Sequence, residues 1–186
     1  GITKPILILA CIPRNSYKES IVFDIRESVF TLEQAKKINE EARQMDKKMS
    51  IHIAIDTGMN RIGFKPTKES AEIIKEINEM ENIDIEGIFT HFHSADEKDL
   101  TSALKQEELF SDFLNMLHDM GVNPKITHAS NSAAVVNGIG TGFDMVRCGI
   151  TMYGIAPSSD VNLENFDYRP ALSIYSIITY IKQIKA

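Results

Sequence analysis

Cysteine is scarce in this chain of 186 residues. Cys11 and Cys148 stand far apart and fit no metal-binding or redox spacing, which argues against a thiolate metal centre and favours a reduced, cytoplasmic setting. No apolar run approaches membrane-spanning length. No signal peptide is visible. Because the chain opens on GITKPILILA without an initiator methionine, an upstream targeting or membrane segment in a longer parent stays open. Neither sign of charge dominates: 20 Lys and Arg face 26 Asp and Glu, a net charge of −6. That balance gives no reason to expect nucleic acid or an anionic membrane as partner. Internal repeats and low-complexity segments are also missing. What is present is ordinary for a globular protein, 43% hydrophobic and 25% charged, at a length that suits one domain with a real core.

Short apolar runs alternate with amphipathic stretches. ILILA (6–10), IVFDI (21–25), IHIAI (51–55), IEGIFTHF (85–92) and KITHAS (125–130) read as strands, and DMVRCGITMYG (144–154) holds the next. Helical periods cover 31–45, with Thr31 and Gln34 as a capping box, then 67–80 and 100–121, and a short helix at SAAVVNG. Strand–helix alternation predicts an α/β fold with a parallel sheet. About six units precede Gly154, whereas a closed (β/α)8 barrel of the TIM type needs eight and about 250 residues. The expectation is therefore a partial barrel over residues 1–157. Residues 158–170 read as a polar linker. ALSIYSIITYIKQIKA (171–186) alternates as a strand does, and reads as the first strand of a truncated second, β domain.

In parallel α/β folds the working residues sit at the C-terminal ends of strands. That rule selects Asp56–Arg61, His91 and His93, Asn131 and Ser132, and Arg147–Ile150. In DTGMNRIG (56–63), Gly58 permits a tight turn or a close backbone approach, and Arg61 offers a planar fork for a carboxylate or phosphate. The bland alternative has Asp56 capping the turn and Arg61 in a surface salt bridge. His91 and His93, two apart, would point the same way. They suit a shared metal, or His91 beside a cofactor ring, or one core and one solvent histidine. Ser132 with the backbone N–H groups of Gly149 and Ile150 would cradle a phosphate, with Arg147 alongside, since barrels commonly form that site from their last two loops.

Together the segments IDTGMNRIGF, IEGIFTHFHSAD, THASNSAA and DMVRCGITMYG resemble the alanine racemases, pyridoxal-phosphate enzymes built from a barrel and a β domain. Serine racemases of the same fold type share the pattern. The resemblance covers nearly the whole chain. It implies a fragment of an enzyme that interconverts L- and D-alanine for peptidoglycan precursors, lacking the first two barrel strands. It assigns Arg61 to the cofactor's phenolic oxygen and the substrate carboxylate, and His91 to the side of the cofactor ring. Arg147 is assigned to the pyridine nitrogen. Asn131, Ser132, Gly149 and Ile150 lie in the segments that would hold the cofactor, Ser132, Gly149 and Ile150 at its phosphate.

Three departures stand against full activity. The family's cofactor lysine lies in a segment like KANAYGHG, which is absent here, and none of the fourteen lysines falls at the C-terminal end of a predicted strand. A covalent cofactor linkage needs a lysine aimed into the pocket. The second catalytic base is a tyrosine from the partner subunit's β domain, beyond this chain. Ala54 stands where the family usually has a lysine that orients the arginine. The expectation is an inactive, self-associating fragment of a homodimeric parent. The rival reading is a metal-dependent barrel hydrolase using Asp56, His91, His93 and His128.

Overall fold

The periodic stretches become helices because each has one apolar stripe to bury. In the computed structural model, which describes residues 1–164 and 166–184, the elements run in order along the chain. They are β1 (Ile6–Ile8), α1 (Tyr17–Val22), β2 (Ile25–Val29), α2 (Leu32–Gln44), β3 (Met49–Ala54), α3 (Lys68–Asn78), β4 (Ile83–Phe89), α4 (Thr101–Asp119), β5 (Ile126–His128) and α5 (Ser132–Val136). Ala35, Ile38 and Ala42 of α2, and Ala71, Ile74 and Ile77 of α3, are fully buried at helical spacing. Thr31 caps α2 by accepting the Gln34 N–H, while the Gln34 side chain reaches back to the Phe30 N–H at 3.1 Å, one residue earlier than an ideal capping box.

The five strands form one parallel sheet in chain order, β1-β2-β3-β4-β5, curled into part of a (β/α)8 barrel. Its convex face is the core. Ile51, Ile53 and Ile55 of the third strand region pack with Ile85, Ile88 and the helix stripes, including Phe110, Phe113 and Leu117 of α4. The opposite, concave face is polar: Arg26, Ser28, His52 and His128 lie on it, with Ala54 and Phe89 buried outside the main cluster. A register shift at Ile51/His52 leaves Glu86 as an extra residue in β4, so His52 pairs with Gly87.

Three expectations need correction. IVFDI is not a strand. Tyr17, Ser20 and Ile21 bury at i, i+3 and i+4 as the helix α1, Asp24 then turns the chain with φ +55°, and the strand starts at Ile25. The predicted strand in 144–154 shrinks to one bridge, His128 to Met145. There the Thr127 N–H is taken by the Asp144 carboxylate at 2.8 Å instead of by a neighbouring strand. Chain 150–153 then closes into a 3-10 turn. So five strands, not six, make the sheet. Finally, 171–184 form no strand, and the end of that predicted strand lies outside the described residues. With no neighbouring strand to complete its hydrogen bonds, the segment leaves Ile174 86% and Tyr175 91% exposed.

Candidate active site

The loop after β3 is built around Asp56. Its Oδ1 accepts the N–H groups of Gly58 (3.1 Å) and Asn60 (2.8 Å), and its Oδ2 accepts Lys65 Nζ (2.8 Å). Burial pushes the Asp56 carboxyl up, but Lys65 and the two N–H donors outweigh it and hold the group below its usual range. Gly63, at φ +125°, is required where the chain returns, because a Cβ there would press on the Asp56 backbone nitrogen at 2.7 Å. Asp56 therefore caps the turn, as the bland alternative has it. Arg61, however, is exposed and makes no hydrogen bond or ion pair among the described residues. Ala54 lies buried on the concave strand face and offers it no counter-charge.

Gln106 of α4, which the sequence reading did not single out, ties three segments together. It donates to Thr57 Oγ1 (3.1 Å) and to the His91 carbonyl (3.3 Å), and accepts the His93 N–H (3.1 Å). Thr57 and Thr90 hydroxyls meet at 2.7 Å. A polar residue at a buried position of a helix stripe is the signal that could have found Gln106.

His91 and His93 follow the end of β4 and do not act as a pair. His91 turns toward Arg147, whose Nη2 donates to its Nδ1 at 3.3 Å. His93 points to Ser102 on α4, at 3.0 Å. Among the described residues no group of three His, Cys, Asp or Glu side chains is placed to share a metal ion. Of the proposed hydrolase ligands, Asp56 is held by Lys65, and His128 lies between His52 (2.8 Å) and Arg147 (2.6 Å).

Arg147 is the centre of the site. Its Nη1 donates to His128 Nδ1 at 2.6 Å, and its Nη2 to the carbonyls of Thr90 (2.7 Å) and Ala129 (2.9 Å). It lies over the Phe89 ring, 5.3 Å from the centroid. No carboxylate pairs with it among the described residues. Burial, and then the Arg61 charge, lower its pKa to about 10, so it stays a cation at neutral pH. Burial and then Arg147 and Arg61 push His91 down to about 4, so this ring is neutral.

Asn131 caps α5 by accepting the Ala134 N–H (3.0 Å) and anchors to the Phe92 carbonyl (3.2 Å). Ser132 Oγ accepts the Gly149 N–H at 2.8 Å and the Thr151 hydroxyl at 3.1 Å. With both lone pairs engaged, its own proton is available to an anion. His91, Asn131, Ser132, Arg147, Gly149 and Ile150 all line one cavity of about 380 Å³, a size suited to a small cofactor. Arg61 stands outside its wall, and no lysine is among the lining residues.

The geometry can be set beside known proteins. A family model described as alanine racemase, N-terminal domain, matches residues 1–157. The alanine racemase of Methanococcus maripaludis is 42% identical over 184 residues, 99% of this chain and 49% of that protein. The alanine racemase of Clostridium tetani is 42% identical, covering 100% of this chain and 48% of its own length. Among solved structures, alanine racemase of Clostridium difficile 630 in complex with cycloserine superposes with a TM-score of 0.88 at 42% identity, over 91% of this chain and 47% of that one. Alanine racemase from Bacillus anthracis with bound L-Ala-P gives 0.80 at 32% identity, over 91% and 44%. The chain thus spans about half the length of the relatives it matches. A polar concave face, a carboxylate-free guanidinium and a serine-lined cavity at the strand ends accompany this likeness, and the chain belongs to the alanine racemase N-terminal domain family.

Proposed function

We propose that this chain supplies the non-covalent half of a pyridoxal-phosphate site for an amino-acid racemase acting on alanine, with serine as the alternative substrate. The observation that carries the reading is Arg147, a half-buried cation in the cavity wall with only neutral acceptors around it. Such a group awaits an electron-rich partner. The Ser132 hydroxyl and the Ile150 N–H would hold a phosphate, the Gly149 N–H being already given to Ser132 Oγ, and the Arg147 guanidinium makes the cavity positive. When bound, the cofactor would supply an electron sink for the substrate's α-carbon. Arg147 donates and cannot give up its proton, so it would leave a ring nitrogen unprotonated. The unpaired fork of Arg61 would take a carboxylate. Neutral His91 packs beside the site without adding charge.

The wall lacks a lysine, so we assign the covalent linkage and the proton-moving bases to the longer parent protein. In it, residues 1–157 would be the cofactor-binding barrel and 158–186 the linker and a segment that becomes a strand only beside the further strands of a β domain, which completes a homodimer. Cytoplasmic residence is part of this proposal, in keeping with the finding that no described helix is long and apolar enough to cross a membrane.

The test is intact mass after incubation with pyridoxal phosphate and borohydride, alongside a racemisation assay with alanine and serine. The expected result is saturable binding that Arg147→Glu abolishes, no single-site adduct, and no turnover. A stoichiometric adduct on one lysine, or cofactor-dependent turnover, would overturn the inactivity. Absence of any saturable binding would overturn the cofactor reading.

A further inference from the structure

The concave face carries a continuous polar line that the reading above leaves unused. Arg26 of β2 donates from Nε and Nη2 to both carboxylate oxygens of Glu86, at 2.9 and 3.3 Å. Glu86 Oε2 lies 3.5 Å from His52 Nε2, a long contact. His52 Nδ1 and His128 Nε2 are 2.8 Å apart, and His128 Nδ1 is 2.6 Å from Arg147 Nη1. Five side chains from four strands and the following loop thus connect Arg26 to the cavity.

Only one direction of donation satisfies the line. A guanidinium has no acceptor, so His128 Nδ1 must accept from Arg147. The single ring proton of a neutral His128 then sits on Nε2 and points at His52 Nδ1, which must accept in turn. His52 therefore also carries its proton on Nε2, on the side of Glu86, whose Oε2 lies 3.5 Å away and is a pure acceptor when ionised. The surroundings keep each member in the required state. Burial is the main force holding both rings neutral, against the opposing pull of Glu86 on His52. Arg26 holds Glu86 below the usual carboxylate range.

Gly87 makes the line possible. It lies on β4, between the two histidine strands, and a Cβ there would collide with the His52 ring. The gap lets two imidazoles meet across an intervening strand.

We infer that Glu86 and His52 are positioning residues for Arg147, acting through a one-way hydrogen-bond chain that fixes His128 as its acceptor. With Nη1 committed to His128 and Nη2 to two carbonyls, the guanidinium plane is set, leaving Nε–H and the second Nη1–H for a ligand. This rests on the reading of Arg147 as the cation that faces the cofactor, but its test does not require the cofactor.

The experiment is long-range proton–nitrogen correlation NMR of the cofactor-free chain labelled at its histidines, at neutral pH, for the wild type, Glu86→Gln and Glu86→Leu. The wild type should show His52 and His128 both neutral with the proton on Nε2. Glu86→Gln keeps an acceptor oxygen and should retain both tautomers. Glu86→Leu removes the group facing the His52 Nε2–H and should shift His52 out of the single Nε2–H state, while His128, whose Nδ1 still accepts from Arg147, keeps its proton on Nε2. A wild-type His128 protonated on Nδ1, or a folded Glu86→Leu protein with an unchanged His52, would overturn the inference. Should Glu86→Leu fail to fold, loss of the Nε2–H state in Glu86→Gln would do the same. The expected tautomers in a chain that never binds pyridoxal phosphate would leave this inference standing and refute the cofactor reading alone.

Discussion

At the scale of single residues, the buried histidines set how the protein responds to acid. His128 is fully buried and lowered to about 2, first by burial and then by Arg147, while His91 falls to about 4. In the unfolded chain both would take up protons near pH 6.5. Between that value and the folded ones the unfolded state binds more protons, so stability falls as pH falls. The slope is at most about 1.4 kcal/mol per pH unit for each histidine, less for half-buried His91. Glu27 works in the opposite sense. Burial raises it, against a hydrogen bond from Ser20, so its contribution is full at low pH and declines as pH rises above its ordinary value. The histidines outnumber it. Lowering pH from 7 to 5 should reduce the unfolding free energy by on the order of 1–3 kcal/mol in urea titrations. His128→Gln should flatten that profile by one histidine's share. A level profile in the wild type would contradict the assignment of neutral buried rings.

At the scale of elements, the helices α2, α3 and α4 were legible because their buried positions recur every three or four residues, and Thr31 and Thr67 cap the first two as their side chains suggest. The segment around Ile21 was not legible. A six-residue helix offers less than two turns of period, and Val22 and Phe23 mimic a strand although both are exposed. The segments that line the cavity were readable from position at strand ends. The Arg26–Glu86–His52–His128 line was not, because His52 and His128 are 76 residues apart and meet only through sheet register. Gly87 shows the same limit: nothing local marks it as special. Gly87→Ala should cost about 1–3 kcal/mol by overpacking against His52. Denaturant unfolding checks the loss, and an Ala variant as stable as the parent would mean the strands separate more easily than their register implies.

At the scale of the whole molecule, the sheet stops at β1 on one side and β5 on the other, each with a single strand partner. Open parallel edges and an exposed apolar stretch at 171–184 are two separate reasons for chains to adhere. Sedimentation velocity over a wide concentration range should show association, and a clean monomer throughout would refute it. Ending the chain after Pro170 tells the causes apart. The described part of that segment makes one backbone hydrogen bond to the turn before it, Ala171 N–H to the Tyr153 carbonyl at 3.0 Å. Its removal should leave the unfolding free energy within about 0.5 kcal/mol. Association that persists after truncation belongs to the sheet edges, and association that disappears belongs to the apolar segment.

The strand order has a consequence for how the protein is made. Because spatial order equals chain order, each strand leaving the ribosome finds its neighbour already synthesised, and no later segment must be threaded between earlier ones. Arg26 emerges first, then His52, then Glu86 and Gly87, then His128, and Arg147 arrives last to dock on a line already assembled. Synthesis delivers the carboxylate and both imidazoles of that line before Arg147, the cation at its cavity end. A nascent chain halted before Arg147 would carry the scaffold without the charge, and without Gly149 and Ile150, which follow it in the cavity wall.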